Sequence, residues 1–281
     1  MQTTIVPIDK YHSNGILTTP EAFSPEKPIV LFINAGIIDA TGPNRLYVNL
    51  SRGFAQCGYA SFRFNFFNSG YYELDKNLDY DQSIVAEIAH VVSIIEKQTG
   101  GKKIILLGLC SGGTTAFRAA LSDSRIVGII PINANVFDPG LPKGIIKRAK
   151  ENRQILFNEK KILSEQQWLR LISGKSDVYK KLFKQTKRNQ SSNTNHQEVQ
   201  KNSDKLIEVM KLKQCFLIFC EGDLFYETFR IASHEELSQL KSDGEINYSF
   251  QVFKGVDHTF TPRWSQAELS DHICEFLLKR F

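Results

Sequence analysis

No run in this chain approaches the roughly 18 consecutive apolar residues that a membrane-spanning helix needs, so no membrane span is expected. Met1 to Lys10 has no apolar core behind a basic start, and no secretory leader is expected. Cysteine is scarce. Cys57, Cys110, Cys215, Cys220 and Cys274 are odd in number and lack framework spacing. This argues against a disulfide-stapled scaffold, and reduced thiols in a cytoplasmic protein are the simplest expectation. No Cys/His cluster has zinc spacing, and Cys215 and Cys220 fall within one expected strand, so neither metal nor cofactor is expected. Aromatic residues interleaved with basic ones are sparse and no nucleic-acid motif occurs, which sets nucleic acid aside as a partner. What remains, with 42% hydrophobic and 23% charged residues, is an ordinary globular composition over 281 residues, enough for one large domain or a domain carrying an insertion.

The most informative stretch is Ile104-Ile-Leu-Leu107 followed by Gly108-Leu-Cys110-Ser-Gly112-Gly113 and then Thr114, Thr115, Ala116 and Phe117 at helical spacing. A buried strand that turns at once into a helix through G-x-nucleophile-x-G is a nucleophile elbow. Its glycines answer crowding, because strand and helix pass too close for side chains two positions either side of the nucleophile. With Cys110 in the middle, the flanks are Gly108 and Gly112. With Ser111 they would be Leu109 and Gly113, and Leu109 is too large. The competing readings are a buried structural cysteine and a dinucleotide loop, whose middle glycine is missing here.

Buried apolar strands and amphipathic helices alternate on either side of this stretch. Strands are expected at Thr3–Ile8, Gly15–Thr19, Pro28–Asn34, Tyr59–Phe66, Arg125–Asn133, Cys215–Cys220 and Tyr248–Phe253. Helices are expected over Pro43–Phe54, Asp81–Gln98, Ser233–Leu240 and Gln266–Arg280. Such alternation predicts an α/β fold, a mostly parallel sheet flanked by helices. It is interrupted at 137–213, where no strand is evident, which predicts a helical cap inserted between core segments 1–136 and 214–281. Within that cap, Lys184–Lys205 is nearly devoid of apolar residues and is expected not to pack into a core.

Two strand ends carry the remaining chemistry. After Cys215–Cys220 comes Glu221-Gly222-Asp223, and after Tyr248–Phe253 comes Gly255-Val-Asp257-His258. Loops at the carboxyl ends of parallel strands share one sheet edge, and the order nucleophile, acid, histidine is that of α/β-hydrolases. The chain resembles that superfamily from about Ile5 to its C-terminus. Its GLCSGG elbow is similar to that of dienelactone hydrolases. Asn34-Ala-Gly36, the following loop to Asn44-Arg45, RFNFFNSG at 63–70, CEGDLFYETF at 220–229 and GVDHTF at 255–260 resemble hydrolases associated with exosortase systems. The resemblance implies the α/β-hydrolase fold, Cys110 as nucleophile, His258 as base and Asp223 as the acid that orients it, with Glu221 the alternative acid. It departs from the usual pattern at Asn65, where an Asp is common.

On this reading the oxyanion donors are the Ser111 N–H and an N–H of the loop after Asn34, from Ile37 or Gly36. The expected reaction is hydrolysis of an ester or thioester through an acyl-cysteine. An acyltransferase with the same triad and an inactive binding protein on the same fold are the alternatives. Trp168 in the cap is the candidate substrate contact, with a purely anchoring role as its alternative. Residues 137–213 hold 18 Lys and Arg against 8 Asp and Glu, a charge of +10 that leaves −5 on the rest of a chain of net +5. That field suits a small anionic acyl substrate or an acidic acyl carrier protein, and the alternative is a solvated lysine-rich surface.

Overall fold

Strand β5 (Ile104–Leu109) is buried at every residue, which requires cover on both faces of the sheet. In the computed structural model, which describes residues 1–8, 13–36, 38–66, 80–136, 197–232, 234–246 and 248–281, β5 lies near the centre of an eight-stranded sheet. The other strands are β1 (Gln2–Ile8), β2 (Ser13–Thr19), β3 (Ile29–Ile33), β4 (Ser61–Arg63), β6 (Ile126–Ile132), β7 (Gln214–Cys220) and β8 (Tyr248–Phe253). Their order is β1-β2-β4-β3-β5-β6-β7-β8. The β1–β2 and β2–β4 pairs are antiparallel and the rest are parallel.

Helices cover the two faces unequally. Helices α1 (Leu46–Gln56, entered through a 3-10 turn at Pro43–Arg45) and α7 (Arg263–Arg280) pack one face through Leu50, Phe54, Leu269, Ile273 and Leu277. The other face is covered by α2 (Tyr80–Thr99), α3 (Ser111–Ala119), α4 (Gln197–Leu212), α5 (Leu224–Ala232) and α6 (His234–Ser242). The stripe read for α2 is its buried side: Ile84, Ile88, Val91, Val92 and Ile95 all join the core.

Several details differ from the sequence reading. The strand expected to start at Gly15 already starts at Ser13, which pairs with Ile8, and Asn14 pairs with Pro7. The expected strand at Tyr59–Phe66 has only three residues in the ladder, because past Arg63 the side chains of that segment serve a loop instead. Helix α5 was not anticipated; it starts directly on the Asp223 turn, so strand-end and helix-start residues overlap in the sequence. The region expected as a cap lies largely outside the described residues. Its far end, however, is α4, whose Leu206, Val209 and Met210 are buried in the core. The polar stretch up to Lys205 overlaps the start of this helix, Gln197–Leu212.

The expectation of five reduced thiols is corrected. Cys57, at the C-terminus of α1, is bonded to Cys274 of α7, across 217 residues of sequence. These two helices lie side by side, so the pairing follows from tertiary packing and leaves no trace in cysteine spacing. Cys110, Cys215 and Cys220 are free. The expected cytoplasmic location therefore loses the part of its support that rested on reduced cysteines. Among the described residues no helix is long and apolar enough to cross a membrane.

If α4 is a core helix rather than a cap element, Leu206→Ala destabilises the chain by about 2–5 kcal/mol, as buried Leu truncations do. Urea unfolding measures this, and a change below about 1 kcal/mol would show that the α4 contact contributes little.

Candidate active site

The carboxyl ends of the parallel strands are level with one another. Ile33 of β3 is opposite Gly108 of β5, Leu109 is opposite Ile132 of β6, and Cys220 of β7 is opposite Phe253 of β8. The next residues along each strand, Asn34, Cys110, Asn133, Glu221 and Lys254, therefore emerge along a single edge.

Cys110 is the turn between β5 and α3, with φ 55° and ψ −122°. This is a conformation that an L-residue adopts only when its surroundings impose it. Here two constraints impose it. The Cys110 N–H is spent on the Ile132 carbonyl at 2.9 Å, and the Cys110 carbonyl accepts from Thr114 N–H at 3.1 Å, the first turn of α3. The helix then lies against the strand so closely that a Cβ at Gly108 would overlap the Gly112 carbonyl, and one at Gly112 would stand 2.7 Å from the Asn34 carbonyl oxygen. Ser111 is the first residue of α3, and the strained turn belongs to Cys110. The Cys110 side chain is half-buried, whereas Cys215 and Cys220 are buried. Burial raises the Cys215 thiol to about 12 and pushes Cys220 higher still.

Asp223 follows the Gly222 turn, where φ is 78°. Both carboxylate oxygens are used. Oδ1 accepts the Phe225 N–H at 2.8 Å, capping α5, and Oδ2 lies 2.6 Å from His258 Nδ1. The cap fixes the carboxylate in rotation, and the carboxylate fixes the imidazole. Asp223 is 9% and His258 17% exposed. Burial opposes a charged His258, but the charge of Asp223, its hydrogen bond, and the hydrogen bond and charge of Cys110 outweigh it and raise the imidazole to about 10.

The loop after β3 is held from β4. Asn65 Oδ1 accepts the Ala40 N–H at 2.6 Å and an Asn34 side-chain N–H at 3.2 Å, while Arg63 donates to the Ala40 carbonyl at 3.2 Å. Asn34 also donates to the Ile38 carbonyl at 3.0 Å. An Asp at position 65 would offer the same acceptor oxygen, so the departure noted in the sequence costs neither bond. Gly36, with φ 57°, lies in this loop. Ile37 and Trp168, the other expected oxyanion donor and the expected substrate contact, lie outside the described residues.

Sequence reasoning passed over Asn133 and Tyr47. Asn133, buried with φ 43°, donates to the His258 carbonyl at 2.8 Å and accepts the Cys220 N–H at 2.7 Å. The available signal was an asparagine closing an apolar strand, as at Asn34. Tyr47 gave none, because an aromatic residue at helical spacing reads as core.

No family model and no curated protein matches the sequence. Solved structures do match. Over 99% of this chain and 96% of theirs, the chain is similar to a dienelactone hydrolase from Anabaena variabilis, at 11% identity and TM-score 0.56. It is similar to Est1E from Butyrivibrio proteoclasticus at 13% identity and TM-score 0.54, covering 99% and 98%. A proline iminopeptidase from Mycobacterium smegmatis gives 14% identity and TM-score 0.57 over 99% and 98%. The fold is that of the α/β hydrolases. Identities this low carry fold and not substrate.

The His258–Asp223 contact makes a pH prediction. A folded value near 10 against about 6.5 in the unfolded chain means stabilisation that is complete below pH 6.5 and lost as pH rises through 10. The gap in melting temperature between wild type and Asp223→Asn is therefore expected to be widest near pH 6 and to close by pH 10. A gap that stays constant across that range would mean that His258 is not held charged.

Proposed function

We propose that the chain is an α/β-hydrolase-type enzyme that cleaves an ester or thioester through an acyl-cysteine, with Cys110 as nucleophile, His258 as acid–base and Asp223 as the group that orients His258. The observation that carries this reading is a half-buried cysteine on a strained strand-to-helix turn, next to an imidazole whose far nitrogen is 2.6 Å from a capped carboxylate. A plain structural cysteine requires none of these features. The mechanism follows from them. The Cys110 sulfur, as thiolate paired with imidazolium, attacks the acyl carbon. The oxyanion forms opposite the Ser111 N–H and an N–H from the Gly36–Ile37 loop. On collapse the bond to the leaving group breaks, and the leaving group takes the His258 proton. Water then attacks the thioester, giving up a proton to His258, and the acid departs as the thiolate is restored. Because a thiolate is itself a good leaving group, activated acyl groups such as thioesters, lactones and aryl esters are the expected substrates rather than amides.

The charge of +10 on residues 137–213 favours an anionic acyl donor, and a thioester on an acidic carrier protein belongs to that class. In the acyltransferase reading an alcohol or amine replaces water in the second half-reaction. The motif resemblance to exosortase-associated hydrolases leaves this choice open. We assign the part of residues 137–213 that precedes α4 to a cap over the site, with Trp168 as a contact for the acyl chain.

A panel of p-nitrophenyl esters and acyl thioesters tests the reading. Wild type is expected to turn over part of the panel, and Cys110→Ala to retain only background. Iodoacetamide is expected to modify Cys110 before Cys215 and Cys220, whose burial keeps them as thiols. Turnover that survives Cys110→Ala but is lost in Ser111→Ala would move the nucleophile to Ser111. Separately, kcat/KM for an anionic substrate should fall steeply between low and 0.5 M salt, as the screening length drops below the roughly 10 Å it has in 0.1 M, while a neutral ester is unaffected. Equal responses would leave the basic segment as mere surface.

A further inference from the structure

Tyr47 is on the buried side of α1, fully enclosed, and its ring lies tilted against that of Phe32, with centroids 4.8 Å apart. Its hydroxyl donates to the Ile33 carbonyl at 2.9 Å and accepts the Leu109 N–H at 2.9 Å. These two groups have a particular place in the sheet. The β3–β5 ladder opens with Ile29 N–H on the Lys103 carbonyl at 2.8 Å. The regular alternation of a parallel pair carries that pattern forward to a last rung between Leu109 N–H and the Ile33 carbonyl. The hydroxyl sits at that rung and bonds both of its groups. Immediately beyond it, β3 becomes the 34–38 loop and β5 becomes the Cys110 turn.

We propose that Tyr47 is a positioning residue for the reaction: its hydroxyl, bonded to both groups of the last rung between β3 and β5, sets the spacing between the Cys110–Ser111 turn and the Gly36 loop, the two halves of the oxyanion site. This rests on the cysteine-hydrolase reading above. Because one hydroxyl bonds both groups of the rung, the position of α1 helps to fix how the two strand ends lie against each other. The polarity of the bridge is fixed. Burial first, and then the nearby charge of Cys110, hold the hydroxyl well above the usual tyrosine range despite the Leu109 bond, so it remains a donor to Ile33 and an acceptor from Leu109. Tyr47 touches no reacting atom in this scheme; it acts through the loop and the turn that it joins.

The test separates thiolate formation from oxyanion stabilisation. Iodoacetamide reacts by displacement: the sulfur forms a bond to carbon, iodide leaves, and no oxyanion develops. Acyl transfer from a p-nitrophenyl ester develops one. Tyr47→Phe is expected to lower kcat for the ester about 10- to 100-fold, the range for a misplaced oxyanion donor, with KM changed less than about twofold and the alkylation rate of Cys110 unchanged. The control is Tyr59→Phe. Tyr59 is equally buried and its hydroxyl donates to the Leu277 carbonyl at 2.9 Å, on the segment that precedes β4, at the opposite edge of the sheet. It should lower the melting temperature and leave kcat in place. Should Tyr47→Phe fail to fold, 4-aminophenylalanine at position 47 takes its place: it keeps the donor to Ile33 and weakens the acceptor toward Leu109, and the same split is expected with a smaller drop in kcat. The proposal is overturned if kcat in the folded variant stays within twofold of wild type, or if acylation and alkylation fall together. A wild type that turns over esters without alkylation at Cys110 would instead overturn the cysteine reading, and a wild type with neither would remove the hydrolase reading itself.

Discussion

The close passage of α3 over β5 and the start of the β3 loop is the constraint on which the rest of the site depends. With no side chain at Gly108 or Gly112, the helix axis comes near enough for its first turn to lie against the Ile33 and Asn34 carbonyls. The single residue between strand and helix must then accept positive φ, a conformation that costs about 1–3 kcal/mol at a non-glycine residue. That strain persists because the flanking elements are each held elsewhere: β5 by ladders on both sides, and α3 by Ala116, Phe117 and Ala119 in the core. The side chain at the turn has no freedom to retreat. It is presented at the sheet edge, at the positive end of a helix whose first N–H groups lack partners.

A second theme is how an edge made of loops is kept rigid. The strands stop together, and past their ends the backbone no longer finds ladder partners. Side chains take over that role. Asn65 and Arg63 hold both polar groups of Ala40, Tyr47 joins Ile33 to Leu109, and Asn133 reaches the His258 carbonyl while also binding the Cys220 N–H. Even the buried Cys220 thiol contributes, donating to the Asp257 carbonyl at 3.3 Å. Each backbone group left unpaired in such a place would cost on the order of 1–3 kcal/mol. The polar residues at the ends of β3, β4 and β6 are therefore structural necessities first. Their consequence is that Cys110, His258 and Asp223 are referenced to one sheet.

The electrostatics follow from the same geometry. Asp223 is tied by one oxygen to the start of α5, so it meets His258 with the other in a fixed direction. The imidazole is buried enough that water cannot screen the interaction, and the neighbouring thiol adds to it. Cys215 and Cys220 have burial without such partners, and they show the opposite behaviour, with the neutral thiol favoured. The two buried cysteines are thus held as thiols by their environment, whereas Cys110 is only half-buried at the sheet edge.

The sequence by itself determined the alternation of strands and helices, the parallel sheet, the turn residue Cys110 and the strand-end placement of Asp223 and His258. These are legible because they depend on local pattern: apolar runs of strand length, a 3.6-residue stripe, glycines flanking one position. Only the tertiary structure decided the pairing of Cys57 with Cys274, the burial of α4 against the sheet, and the roles of Tyr47, Asn65 and Asn133 at the edge. Each of these joins segments remote in sequence or uses one atom of a residue whose other features already explain its presence. Tyr47 is apolar enough to be read as core, and what distinguishes it is a hydroxyl that meets two strand ends 14 and 62 residues away. No periodicity encodes such a meeting, because the partners are backbone groups that every residue carries, and which of them a distant hydroxyl reaches depends on where two strands end and how α1 packs on them.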